Sequence, residues 1–456
     1  MSTIRISQFL GIVPRAHPSQ LPDGCAVRAH NCTLYAGKAT PLRQPSISAI
    51  PTRLENGLAN IGSANSLFLW RRGAVSETLA WPGQVKCAGS NIADDDRYRI
   101  FVTGETGIGS GGKEPAVYVV LSGGNDFART SIVKSVLPAP VVTNPVGVGG
   151  AVNFRYTVFF QTWVDTYGYM SGPSSPSLEL QYIDGQTINI AATSAPAGGV
   201  KRRLWKVVSG TETQSIQFVW EQDVTGATFP ASSFTLADAD AGEILPEFES
   251  PPDDLAWMTF VPGNYYVGIS ASAPKTVMFT EQGYPTTWPL EYRYDLRDPL
   301  VGLAVCGNSV VALTRGAPWV LTGTAPGSMT STVLQSEQSC VAARSICTMD
   351  GAAFYASADG ICMIAPTGAS PSLVQNITEK HFGKREWAAL NPSSCIMQPY
   401  DGALHAWFTL STGAIVGYIL KLSEGAAAIT THDEVAKAAY YDTETDGLYY
   451  VRSRRS

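Results

Sequence analysis

Short runs of β-branched and aromatic residues, each closed by Gly, Asn, Asp or Pro, dominate the chain, and no sustained 3.6-residue apolar period interrupts them. Such runs lie at 66–70, 98–102, 116–121, 265–269, 309–313, 319–321, 352–356, 404–408 and 448–451. Most span four to six residues, and turn residues recur every 8–12 positions. That spacing predicts an all-β fold. Forty-three glycines and 29 prolines in 456 residues supply the turns.

The C-terminal half repeats one device. Asp350-Gly351, Asp359-Gly360, Asp401-Gly402 and Asp446-Gly447 each precede an apolar run, and Asp-Gly suits tight hairpins because Gly accepts positive φ. Asp350, Asp401 and Asp446 are 51 and 45 residues apart, about the length of a four-stranded propeller blade. The repeat predicts a propeller-like domain; an array of sandwiches is the alternative. The middle reads differently. A Pro-rich linker at 136–140 leads into a strongly alternating run at 154–163, a Ser-Gly-Pro-Ser loop at 171–174, and runs at 178–182, 186–190 and 203–207. This order resembles a fibronectin III or Ig-like β-sandwich, predicted as an insertion over 139–249. Residues 50–138 and 250–456 then form one discontinuous propeller-like domain. Residues 1–49 lack a core of their own and read as an extended arm. Its Phe9, Pro14, Arg15 and Leu21 are candidates for packing against the body or a neighbouring subunit.

Charged residues are only 15% of the chain, against roughly 25% in ordinary soluble domains. A surface so poor in charge is either polar by Ser, Thr, Asn and Gly or partly covered by other subunits. The formal net charge of −6 argues against an electrostatic binder of nucleic acid or membrane surface. No apolar run approaches the roughly 18 residues of a membrane span, so no stable membrane insertion is expected. The first residues carry no long apolar stretch, and no secretory signal is expected. Eight cysteines without a C-x-x-C pair read as free, buried thiols made in a reducing cytoplasm.

Candidate chemistry is sparse. Residues 107–113 fit G-x-x-x-x-G-K, but Glu114 and Pro115 follow where a phosphate-binding loop needs Ser or Thr and a helix. A flexible hairpin loop is expected; should the chain line a channel, as the resemblance described below implies, its Gly107, Gly109, Gly111 and Gly112 are the candidate gate. Asp94-Asp95-Asp96 reads as a solvated turn, since no calcium-loop spacing accompanies it. His405, inside an apolar run, is expected in a core or lining a pore. Residues 357–361 and 284–288 each hold part of a sialidase Asp-box without its spacing. No enzyme activity, cofactor or metal is expected. The basic end at 452–456 reads as a solvated terminus or a contact between subunits.

Three stretches carry a resemblance to a known family. The first is Phe9-x-Gly11-x-x-Pro14-Arg15, with Leu21-Pro22-Asp23-Gly24, Asn31-Cys32 and Pro41-Leu42. The second is 284–289 with 298–303 and 313–323; the third is 338–341 with 345–346 and 355–360. Together they make the chain similar to the tail nozzle proteins of short-tailed bacteriophages, also called tail tubular protein B. The resemblance implies a structural protein of the virion tail, made in the host bacterial cytoplasm. It implies a homohexameric ring below the portal-adaptor ring, bearing tail fibres or a needle or spike. Packaged double-stranded DNA would be retained there and later conducted without sequence specificity. Another tail hub, fibre or receptor-binding protein is the alternative, and a polysaccharide-cleaving propeller enzyme a more distant one.

Overall fold

A computed structural model describes residues 9–35, 38–109, 111–121, 126–150, 153–209, 214–246, 248–365, 373–423 and 426–452. The fold is nearly all-β, built from many small sheets. One α-helix, Lys384–Ala389, stands among the described residues, and no helix there is long and apolar enough to cross a membrane. The chain divides into two compact units: residues 1–129, 254–278 and 293–456 form the first, and residues 130–253 with 279–292 form the second. The second unit encloses the expected insertion at 139–249, with an additional piece at 279–292, and the arm belongs to the first unit.

In the first unit, seven small sheets follow one another among the described residues, beside a separate pair in the arm, Cys32–Tyr35 with Lys38–Pro41. Sheet I joins Thr52–Leu54, Ser66–Arg72 and Val75–Trp81. Sheets II to V have four strands each, and their first strands are Val85–Gly89, Leu255–Val261, Leu300–Cys306 and Cys347–Met349. Sheet VI runs from Ile396–Tyr400 through Ala403–Thr409 and Ile415–Ser423 to Ala426–His432, then gains Gly11–Ile12 and Cys25–Ala26 from the arm. Sheet VII is a pair, Ala436–Asp442 with Gly447–Arg452. First strands of consecutive sheets lie side by side, and Ser66–Arg72 of sheet I neighbours both sheet VII and sheet II, so the succession closes on itself. Apolar clusters fill the spaces between sheets. Trp70, Trp81 and Tyr118 lie between I and II; Val311, Tyr355 and Ile364 between IV and V; Phe354, Met397 and Phe408 between V and VI; Ala80, Ala438 and Val451 between VII and I.

The Asp-Gly turns separate into two kinds. Asp350-Gly351 and Asp401-Gly402 have positive φ at both residues and close two-residue hairpins, Met349 pairing Ala352 and Tyr400 pairing Ala403. Asp359-Gly360 and Asp446-Gly447 end longer connections, with Ala356 pairing Ile361 and Asp442 pairing Gly447.

The second unit is built on two three-stranded sheets. One joins Val142–Thr143, Gln186–Ile190 and Ser232–Leu236; the other joins Phe159–Asp165, Gly199–Ser209 and Gln214–Asp223. Phe159, Ile188, Leu204 and Phe234 form the core they share. The Ser-Gly-Pro-Ser stretch is an ordered edge rather than a loop. Ser171, Ser174 and Ser177 recur every third residue, and their Oγ atoms accept the N–H of Trp163, Gln161 and Phe159 at 3.1, 3.0 and 2.9 Å. Their own N–H groups donate to the carbonyls of the same three residues. The serines thus satisfy the edge of Phe159–Asp165 while Pro173 and Pro176 hold the segment extended, which removes a template for unwanted strand pairing.

Candidate functional site

The candidate arm residues lie against their own chain. Phe9 packs on the cluster between sheets V and VI. Gly11, with φ +84°, pairs with Ile429 so closely that a Cβ there would press on the Ile429 carbonyl. Arg15 donates its N–H to the His381 carbonyl at 3.0 Å and its Nη1 to the Glu379 carbonyl at 3.0 Å, while Pro14 is exposed and Leu21 half-buried. Further along, Asn31 Nδ2 donates to Asp433 at 2.9 Å.

The glycine loop connects two strands of sheet II. Gly107, Gly109 and Gly112 have positive φ, and backbone bonds from Gly107 to Gly112 (2.8 Å) and from Glu114 to Ile108 (3.1 Å) close it on itself. Gly111 has open space around it, and Ser110 lies outside the described residues. The loop's last residue, Lys113, reaches the rim of a cavity of about 290 Å³ lined by Ser66–Arg72 of sheet I and the first strands of sheets II, III, VI and VII.

This cavity is the first candidate site. Its most unusual residue is Trp257, which takes φ +58° at a β-bulge, where Ala256 pairs Ile269 but Thr259 pairs Val267. A bulky residue in the left-handed region stores on the order of 1–3 kcal/mol. Met258 N–H donates to Thr103 Oγ1 at 3.1 Å and anchors the bulge. Gly302 makes room for the indole, since a Cβ there would stand 2.7 Å from Trp257 Cζ2 and 2.7 Å from Ile346 Cδ1. The bulge thereby turns Trp257 into the cavity, where Lys86 Nζ sits 5.6 Å from its ring. Lys86 bears surface toward the cavity but has protein all around it, and burial holds its ammonium below the ordinary lysine range. Arg344 donates to the Lys437 carbonyl, and burial lowers its guanidinium too. Of the two carboxylates, Glu105 accepts from Gln84 N–H at 3.1 Å, and Asp254 accepts from Ser270 and Ser272. At about 290 Å³ the cavity has the volume of the smallest ligand sites, too small to pass a nucleic-acid strand. Trp257 and Lys86 carry no sequence signal, because a bulge is invisible in an apolar run.

A second cavity, about 1170 Å³, lies between sheets VI and VII and the arm segment 40–49. His405 lines it, 6% exposed, beside His432, 5% exposed. Their ring centroids are 5.9 Å apart. Burial lowers His405 to about 3 and His432 to about 4, so both imidazoles are neutral at pH 7. Among the described residues, no group of three His, Cys, Asp or Glu side chains is placed to hold a metal ion. Asp95 is not the solvated residue expected: its carboxylate accepts the N–H groups of Arg97 and Arg99 at 3.1 and 3.0 Å, and its side chain is 7% exposed. Residues 453–456 of the basic end lie outside the described residues.

No family model matches the chain, and no curated protein matches it. Among solved structures, a complex of the fission yeast SREBP-SCAP binding domains is similar over 81% of this chain and 90% of its own, at 12% identity and a TM-score of 0.29. A Mycobacterium tuberculosis puromycin-hydrolyzing peptidase is similar over 75% of this chain and 52% of its own, at 10% identity and a TM-score of 0.26. At such scores neither likeness carries an argument about fold or function.

Proposed function

We propose that the chain is a non-catalytic wall subunit of a short-tailed phage tail nozzle, located in the virion tail. In this reading the seven sheets are blades of a propeller and the second unit is a fibronectin III-like sandwich. The observation that carries the proposal is where the resembling stretches lie. Gly11 sits against Ile429, Gly302 under Trp257, Gly316 against the Asp298 carboxylate, and Gly360 among Asn376 and Thr378, each with no room for a Cβ. All four glycines come from the motifs shared with nozzle proteins, and all four serve the closed succession of sheets. The low charge content supports burial of its surface by further copies. The conduit for DNA forms between copies, and an acidic wall lets phosphates pass without the counterion release that would hold them. The portal-adaptor ring and fibres would bind the assembled ring.

Sedimentation and negative-stain imaging of the full chain, alone and with a portal-adaptor ring, test the proposal. Closed rings of six copies are expected. A 48.6 kDa monomer under both conditions, at concentrations well above those of assembly, refutes it.

A further inference from the structure

The lysines of this chain lie at the surface or are paired, with one exception. Lys134 and Lys206 are buried against Asp165 and Asp238, Lys201 pairs with Glu221, and Lys421 donates to the Asp401 carbonyl. Lys86 instead opens into the cavity of about 290 Å³ with protein all around it. Among the described residues its ammonium has neither a hydrogen bond nor an ion pair. The two carboxylates of the cavity are held elsewhere, Glu105 by the Gln84 N–H and Asp254 by Ser270 and Ser272. The groups whose charge acts on Lys86 are the thiols of Cys87 and Cys347. The Trp257 ring stands 5.6 Å from Nζ, and Phe68 and Tyr440, edge to face at 5.2 Å, line the same cavity.

An ammonium walled in by protein without a counter-charge gives way to its neutral amine, and the neutral amine is a nucleophile toward carbonyl carbon. Cations and carboxylates both line the cavity, so the lining selects no ligand charge. A covalent bond at Lys86 does select, and an imine adds no charge to its surroundings. A cavity at the lower end of the ligand-site range admits a single ring. We propose that Lys86 condenses with a small aromatic aldehyde in this cavity and holds it as an imine, with the ring against Trp257. The Nζ lone pair attacks the carbonyl carbon, and the oxygen takes one N–H proton to give a carbinolamine. The C–O bond then breaks, the C=N bond forms, and the oxygen leaves as water with the second N–H proton. No oxidant or reductant is needed. The proposal concerns this cavity alone and is independent of ring assembly.

Reductive trapping on the full chain tests it. With benzaldehyde and cyanoborohydride at pH 7, hydride adds to the imine carbon, and peptide mapping by mass spectrometry reports the benzylamine on each lysine. Lys86 should be labelled ahead of the exposed Lys38, Lys275 and Lys384. Lys86→Arg, which keeps a positive charge, should lose that adduct and leave labelling of the other three unchanged. Trapping in denaturant should abolish the preference in the wild-type chain, which decides the matter even where the variant does not fold. The preference for Lys86 over Lys38 should also be larger with benzaldehyde than with acetaldehyde. Native labelling of Lys86 no faster than that of the exposed lysines overturns the proposal, as does a preference that survives denaturation. An equal preference with the two aldehydes refutes the place of the ring against Trp257.

Discussion

Acid should loosen sheet VI before it reaches any carboxylate. His405 and His432 have folded-state pKa values of about 3 and about 4, against about 6.5 in an unfolded chain. The unfolded state therefore binds more protons below pH 6.5, and stability falls as pH drops from 6.5 toward 4. At pH 5 each histidine sits about 1.5 pH units below its unfolded value, which costs about 2 kcal/mol apiece and about 4 kcal/mol together. Burial is the main cause for both; His432 adds to the effect on His405, and His30 adds to that on His432. His381, also held low by burial, adds in the same direction. Carboxylates ordinarily titrate near pH 4, so the window between pH 7 and 5 isolates the histidines. Hydrogen exchange measured on peptides from 403–432 at pH 7.5 and 5.0, corrected for intrinsic rates, reads the opening free energy directly. The wild-type value should drop by several kcal/mol, and a His405→Phe/His432→Phe double variant should lose at least half of that drop. Equal drops in both proteins, or firmer protection at pH 5, refute the reasoning.

Three further outcomes are expected. Gly302→Ala places a methyl 2.7 Å from both Trp257 and Ile346; overpacking of this kind costs about 1–3 kcal/mol, and calorimetry should show a lower melting transition for the first unit. Lys134 and Asp165 form a buried pair at 2.8 Å in the second unit, so Lys134→Met strands a buried carboxylate and should destabilise that unit by about 3–5 kcal/mol in urea melts. The thiols of Cys306, Cys340, Cys347, Cys362 and Cys395 are buried, with burial raising each pKa, and burial raises that of half-buried Cys87 as well; labelling with a thiol reagent at pH 8 should reach Cys25 and Cys32 far sooner than these six.

Local rules carried the sequence reading as far as the all-β class. Alternation and turn residues report whether a segment is a strand, and Asp350-Gly351 and Asp401-Gly402 form the two-residue hairpins their chemistry favours. Asp446-Gly447 carries the same dipeptide but ends a longer connection, because its spacing is set by the pairing of Asp442 rather than by the dipeptide. Ser171, Ser174 and Ser177 were visible as a turn-rich stretch, yet their role depends on a strand 8 to 18 residues away. His405 was expected in a core or a pore lining and does line a cavity. Its nearness to His432 has no signal in the sequence, because the two meet only through pairing of three strands. Trp257 shows the limit most sharply: the bulge that turns it inward follows from contacts with Thr103 and Gly302, which are 154 and 45 positions away in the chain.

The two ends of the chain complete one circuit, and that makes the arm part of the first unit's stability rather than an appendage. Gly11 pairs Ile429 and Cys25, Asn31 N–H donates to the Thr431 carbonyl at 2.8 Å, and Thr430 Oγ1 donates to the Cys32 carbonyl at 2.7 Å. Sheet VII meanwhile lies beside sheet I. Contacts spanning some 400 residues form late and slowly, since loop closure precedes any gain from them. The arm's register hinges on Gly11, whose positive φ and contact with Ile429 exclude a side chain. Gly11→Ala should therefore unseat residues 9–26 while leaving sheets II to V folded. Limited trypsin digestion reads this as rapid cleavage after Arg15 and Arg28, with an otherwise native far-UV spectrum. Equal cleavage rates in variant and wild type would mean that the arm holds through its other contacts, and that the circuit does not depend on this one residue.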